Sequence, residues 1–90
     1  MEKKNGSYNL IEKVQDELKV FIVNELLSIH DFQELSIEDN LLMLGLDSLR
    51  MMRLVNFIEK NFDVNLPDEE ITPMQMRSIA SIAQLIKRHS

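Results

Sequence analysis

The run Gly45-Leu46-Asp47-Ser48-Leu49-Arg50-Met51-Met52 holds the residue best placed to do chemistry, Ser48. Leu49, Met52, Val55, Ile58 and Phe62 follow at three- and four-residue steps with Leu54 beside them, which predicts an apolar-faced helix starting within a residue of the serine. Gly45 breaks the preceding segment and Asp47 is a good N-cap. A hydroxyl at that point sits over unpaired backbone N–H groups and the positive end of the helix dipole, a setting suited to an anion and above all to a phosphate. Gly45, lacking a side chain, lets a partner or a phosphate approach the backbone closely. A simpler reading of an isolated serine here is an N-cap, and it stays open; Asp47 weakens it by being able to cap alone.

Independent catalysis at Ser48 is poorly supported. A hydrolase elbow needs Gly-x-Ser-x-Gly between a strand and a helix, whereas this chain has Gly45-Leu46-Asp47-Ser48-Leu49 with no strand before it. The two histidines, His30 and His89, fall at predicted helix ends, and neither has the spacing of a dyad. Asp39, Asp47, Asp63, Asp68, Glu69 and Glu70 lack the alternation of a calcium loop and read as solvated surface, so no metal site is expected.

The elements that must position the serine are helical. Residues 1–8 read as a polar, flexible tail and residues 9–90 as one domain. Asn9 and Glu12 have the spacing of a capping box, opening a long helix to about Ile29 with Leu10, Ile11, Val14, Leu18, Phe21, Ile22 and Leu26 as its apolar stripe. His30 then suits a helix C-terminus as a cation. A long connection runs from Asp31 to Asp47, acidic and then apolar. Leu41, Leu44 and Leu46 are expected to pin it to the core, and Ser36 to Asn40 to form a short turn. The serine helix runs to about Asn61, with Leu49, Arg50, Arg53, Asn56 and Lys60 exposed.

Beyond it, Asp63-Val64-Asn65-Leu66-Pro67-Asp68 reads as an extended crossing. Thr72 before Pro73 predicts a short third helix near Pro73 to Met76. Ser78 caps a last helix whose Ile79, Ile82, Ala83, Leu85 and Ile86 face inward and whose end carries Lys87, Arg88 and His89. Met43, Met51, Met52, Met74 and Met76 read as core fillers, with Met51 and Met74 also candidates for adaptable partner contact. No stretch alternates with period two long enough to demand a sheet. The fold class is all-α: a bundle of three main helices and one short helix with a long first loop.

Composition narrows the function. Ninety residues build one small core and no deep cavity. The net charge of -5 and the scattering of ten Lys and Arg exclude the basic face of a nucleic-acid binder. Without cysteine there is no disulfide framework and no thiolate metal site. The charged residues near Met1 have no apolar run behind them, so neither a signal peptide nor membrane insertion is expected, and the protein reads as a cytoplasmic monomer.

The run from Gly45 to Leu49 resembles the phosphopantetheine attachment motif of acyl and peptidyl carrier proteins. The likeness extends through the serine helix, the crossing from Asp63 to Asp68, and Ile71-Thr72-Pro73 leading to Arg77-Ser78-Ile79, covering roughly Leu10 to Ile86. The resemblance implies a four-helix carrier bundle that does no catalysis itself. It implies that a phosphopantetheinyl transferase moves a 4'-phosphopantetheine arm from coenzyme A onto Ser48, leaving a phosphodiester beside Asp47 and Gly45 at the helix N-terminus. The arm's thiol then carries a substrate as a thioester, which accounts for the missing cysteine and the missing base.

Fatty-acid carriers typically present acids on the helix after the serine, where this chain has Arg50 and Arg53. That departure makes it look more like the free-standing aryl and peptidyl carriers of nonribosomal peptide synthesis. Such a carrier is loaded by an adenylation enzyme and unloaded by a condensation or thioesterase enzyme. Asp47 departs from the histidine that peptidyl carriers often have there. Leu49, Arg50, Arg53 and Met74 are expected to form a partner-contact patch, against the alternative that both arginines are only solvated charges. Two alternatives stand beside this reading: a carrier for fatty-acid, polyketide or D-alanyl transfer, and a cofactor-free helical adaptor that binds another protein's helix.

Overall fold

The computed structural model describes residues 6–27 and 35–90, with side chains from Ile11 onward in the first stretch. Helix α1 spans Gly6–Phe21, so it starts three residues before the expected Asn9 cap. Extending a helix already nucleated adds one hydrogen bond per residue fixed, and that outweighs a local capping signal placed inside it. The helix then widens into a π-helical segment, Ile22–Leu26, closed by the Leu27 N–H donating to the Ile22 carbonyl at 2.8 Å. Val14, Leu18, Ile22 and Leu26 are buried as the stripe predicts. The extra residue per turn also brings Val23 into the core, which a 3.6-residue period does not anticipate. Ile29, His30, Asp31 and Glu34 lie outside the described residues, as do residues 1–5 of the expected tail.

Helix α2, Ser48–Phe62, buries Leu54, Val55 and Ile58, and half-buries Met51, Phe57 and Phe62. Leu49, Arg50, Arg53, Asn56 and Lys60 are exposed as expected, although Leu49 also falls in the apolar period; Met52, counted only in the apolar stripe, is exposed instead. The buried stripe centres on Leu54 and Ile58, which leaves Leu49 and Met52 past its edge. Asp63 ends the helix in the left-handed region (φ 54°, ψ 49°), a conformation an aspartate tolerates. Val64 and Leu66 then alternate inward along the crossing, and the Leu66 N–H donates to Glu59 Oε2 at 2.9 Å, fastening the crossing to α2.

A 3-10 turn follows at Asp68–Glu70. The short helix expected near Pro73 to Met76 is a single turn, in which the Thr72 hydroxyl accepts from the Gln75 N–H at 3.2 Å and its carbonyl from the Met76 N–H at 2.9 Å. It cannot continue, because Ser78 is extended (φ -147°, ψ 160°) as the N-cap of the next helix, its Oγ accepting from the Ser81 N–H at 3.1 Å. Helix α3, Ile79–Arg88, buries Ile79, Ile82, Ala83, Leu85 and Ile86, all five as expected. No strand occurs among the described residues, and the all-α architecture stands as three helices, the first continued by a π-helical segment, with a 3-10 turn and hydrogen-bonded turns in the connections.

Candidate functional site

Ser48 is presented by a short, doubly capped turn that the sequence reading did not resolve. Asn40 Oδ1 accepts from the Leu42 N–H at 2.9 Å and, more weakly, from the Met43 N–H at 3.4 Å, as an N-cap does. At the other end, the Leu46 N–H donates to the Leu41 carbonyl at 2.9 Å and the Gly45 N–H to the Leu42 carbonyl at 3.3 Å. This nested pair is a Schellman motif with Gly45 at C′. Gly45 has φ +116°, while a Cβ built there would meet only Leu27 Cδ2 at an ordinary 3.8 Å. The backbone conformation therefore requires the glycine, and close packing does not. Leu41 and Leu46 are buried as expected; Leu44, also expected to pin the loop, is exposed because it precedes the glycine turn on the solvent side.

The turn is held to the rest of the fold at two points. The Leu41 N–H donates to the Arg77 carbonyl at 2.6 Å, and the Ala80 N–H to the Ile37 carbonyl at 2.9 Å, so the loop leans on the start of α3. Ser36 to Asn40 makes the expected turn, with the Ser36 N–H donating to Asp39 Oδ2 and the Asp39 N–H to the Ser36 carbonyl.

Asp47 caps α2. Its Oδ1 accepts from the Arg50 N–H at 2.9 Å and its carbonyl from the Met51 N–H at 2.8 Å. The Arg50 guanidinium returns the contact, Nη1 donating to Asp47 Oδ2 at 2.9 Å, while its Nε donates to the Leu26 carbonyl at 3.1 Å. Arg50 thus ties the start of α2 to the end of the π-helical segment. The Arg50 backbone N–H, with the guanidinium charge adding to it, holds the Asp47 carboxyl below its ordinary value.

Because Asp47 caps, Ser48 does not. Its side chain is exposed, and its hydroxyl makes no hydrogen bond among the described residues. The Ser48 and Leu49 N–H groups likewise have no acceptor among them, and they point along the positive end of a 15-residue helix. A phosphoester on that hydroxyl would lie against free donors without displacing any bond of the fold, so the residues present fit such a group.

The capped turn, the start of α2 and the Thr72 turn expose apolar side chains. Met43 is 82% exposed, Met74 75% and Leu49 74%, with Leu44 and Met52 also open to solvent. Three of the five methionines assigned to the core are therefore surface residues; Met76 is buried and Met51 half-buried. Of the four expected contact residues, Leu49, Arg53 and Met74 are exposed without a polar partner among the described residues, whereas Arg50 is committed to Asp47 and Leu26. Met74 rides on the Thr72 turn, three residues before the Arg77 carbonyl that receives the loop.

His89 takes no part in the serine site. Its Nε2 lies 2.9 Å from Glu70 Oε1, closing the end of α3 onto the 3-10 turn, while His30 lies outside the described residues. No cluster of metal-binding side chains occurs among the described residues, and no helix among them is long and apolar enough to cross a membrane.

A sequence profile of the family described as "Phosphopantetheine attachment site" matches residues 10–86. The chain belongs to this family of carrier proteins. Its members carry a 4'-phosphopantetheine group and are not themselves catalysts, so the chain is a carrier. The carrier is similar to an acyl carrier protein of Clostridium acetobutylicum, 33% identical over 82 residues, covering 90% of this chain and 96% of that one. It is 41% identical over 46 residues to an acyl carrier protein of Rickettsia bellii, covering 51% of this chain and 54% of that one. It is 39% identical over 49 residues to aminoacyl carrier protein 2 of Bradyrhizobium diazoefficiens, covering 54% of this chain and 55% of that one. The carrier thus aligns with about half the length of the Rickettsia and Bradyrhizobium relatives and nearly all of the Clostridium one.

The sequence reading missed Asn40 as a cap and Arg50 as a clip. Asn40 five residues before Gly45 is a legible cap-to-C′ spacing. Arg50's reach to Leu26 leaves no mark in the sequence, because it depends on how two helices cross.

Proposed function

We propose that Ser48 is the residue that receives 4'-phosphopantetheine, and that the carrier shuttles an amino- or aryl-acyl thioester between partner enzymes of nonribosomal peptide synthesis. The observation that carries the attachment reading is the exposed Ser48 hydroxyl, left without a bond because Asp47 does the capping. Gly45 shapes the turn, Asp47 and Arg50 fix the helix start, and the free Ser48 and Leu49 N–H groups receive the phosphate charge. The partners are a phosphopantetheinyl transferase, an adenylation or other acyl-loading enzyme, and a condensation or thioesterase enzyme. They meet the serine through Leu49, Arg53 and Met74, with Arg50 contributing from its clip.

The attachment reading is tested by intact mass after incubation with coenzyme A and a broad-specificity phosphopantetheinyl transferase. The wild type is expected to gain one phosphopantetheine and Ser48→Ala none. A folded wild type that gains nothing overturns it, and leaves the helical adaptor as the reading to pursue.

A second reading, an acyl carrier for fatty-acid or polyketide work, has its support in the Clostridium and Rickettsia acyl carrier proteins. The aminoacyl reading is supported by the Bradyrhizobium relative and by the arginines on the serine helix, where acids are expected of a fatty-acid carrier. Loading separates them. Thioester formation by an adenylation enzyme with ATP and an amino or aryl acid supports the first. Loading only by malonyl transfer supports the second.

A further inference from the structure

Away from Ser48, α1 and α2 leave an open groove of about 610 Å3 between them. Its floor is apolar: Phe21 and Phe57 stack with ring centroids 4.1 Å apart and planes at 12°, and Val20 stands beside them 47% exposed. Its rim is acidic. Asp16, Glu17 and Glu25 line it, no Lys or Arg among the described residues does, and none of the three carboxylates has a hydrogen bond or ion pair with a described residue. Phe57 lies nine residues after Ser48, roughly two and a half turns and about 14 Å along α2, which places groove and serine on opposite sides of that helix.

We propose that this groove docks an amphipathic helix of a partner protein, one whose apolar ridge is flanked by Lys or Arg. Charge complementarity selects the occupant. Three carboxylates around an aromatic floor attract cations on the flanks of an apolar anchor and repel anionic lipid surfaces and free carboxylates. Length agrees, since Asp16 to Glu25 is also about 14 Å along the helix, room for the i, i+3/i+4 and i+7 anchors of a partner helix. The groove's openness disfavours a small ligand, which is ordinarily buried over most of its surface. A partner held here leaves Ser48 free, so it can stay bound while the serine face serves another enzyme. The inference is independent of what Ser48 carries.

The test is an NMR titration of the full chain with a 14-residue peptide of leucine and lysine in an amphipathic helical pattern. Two controls are run, one with its leucines replaced by serine and one with its lysines replaced by glutamate. The expected result is amide shifts concentrated at Val20, Phe21, Phe57 and Asn61, with neither control binding. Binding is expected to weaken at least tenfold in a triple Asp16→Asn, Glu17→Gln, Glu25→Gln variant and, separately, in Val20→Glu, both at positions wholly or partly open to solvent. Ser48→Ala is expected to bind like the wild type. Shifts centred on Leu49 and Met52 or on Asp68 to Glu70, equal binding of the serine control, or undiminished binding by the triple variant would each overturn the proposal. So would sedimentation showing that the peptide-free chain self-associates through this face.

Discussion

Ser48 and Ser78 stand at the starts of α2 and α3, and only Ser48 is without a hydrogen bond among the described residues. Ser78 is buried, its Oγ accepting from the Ser81 N–H and donating to the Ser81 hydroxyl, so Ser78→Ala is expected to cost about 0.5–2 kcal/mol of unfolding free energy, read from denaturant midpoints. Ser48→Ala removes no bond and is expected to stay within about 0.5 kcal/mol of wild type in the same measurement. A large loss at Ser48 would mean that the hydroxyl caps after all. The neighbouring Asp47 carries a pH signature. Its folded-state pKa is depressed, chiefly by the Arg50 N–H and then by the guanidinium charge, so the stability it adds is present above its ordinary value of 3.8 and is lost as pH falls through the lower folded value. NMR titration of the Asp47 carboxyl is expected to give a midpoint below 3.8. Arg50→Gln should raise that midpoint without restoring it fully, because the backbone N–H remains. An unchanged midpoint in Arg50→Gln would remove the guanidinium from the clip.

At the scale of elements, the turn from Asn40 to Gly45 decides where α2 begins. Gly45→Ala meets no clash, yet it places a Cβ on a backbone at φ +116°, and a cost of about 1–2 kcal/mol in thermal or chemical unfolding is expected from that alone. If the strain is instead relieved by rebuilding the turn, Ser48 moves, and transferase loading falls with little loss of stability. Unfolding and loading measured on one preparation distinguish these outcomes. Helix periodicity made α3 legible residue by residue, because an amphipathic stripe of ten residues buried on one side leaves few alternatives. It served α2 less well at Met52, since a period identifies a stripe and the crossing helices decide which edge of it is covered. The π-helical shift at Ile22 and the shortening of the expected Thr72 helix to a single turn were illegible for a related reason. Contacts outside each segment settle its shape: the Arg50 clip on the Leu26 carbonyl for the first, the extended Ser78 cap for the second. The local features that make Ser48 the candidate were legible, because a cap, a glycine and a serine lie within four positions and need no tertiary contact to be read together.

Taken as one body, the carrier couples its core to its serine through Leu41. That side chain is fully buried, its N–H reaches the Arg77 carbonyl, and its carbonyl receives both the Leu44 and the Leu46 N–H groups. Ile82 is just as buried but sits mid-helix in α3, with no bond to the loop. Both truncations to alanine are expected to destabilise by about 2–5 kcal/mol, a large share of what a domain of this size has. Their effect on the site is expected to differ. Leu41→Ala opens a cavity beneath the capped turn, so the Schellman pair and the position of Ser48 loosen even in the folded molecule. Ile82→Ala leaves that turn seated on Leu41 and Leu46. Transferase loading, followed by intact mass well below both unfolding midpoints, is therefore expected to slow in Leu41→Ala and to match the wild type in Ile82→Ala. Equal rates in the two variants would mean that the serine is positioned by Asp47 and Arg50 alone, with the loop contributing only stability.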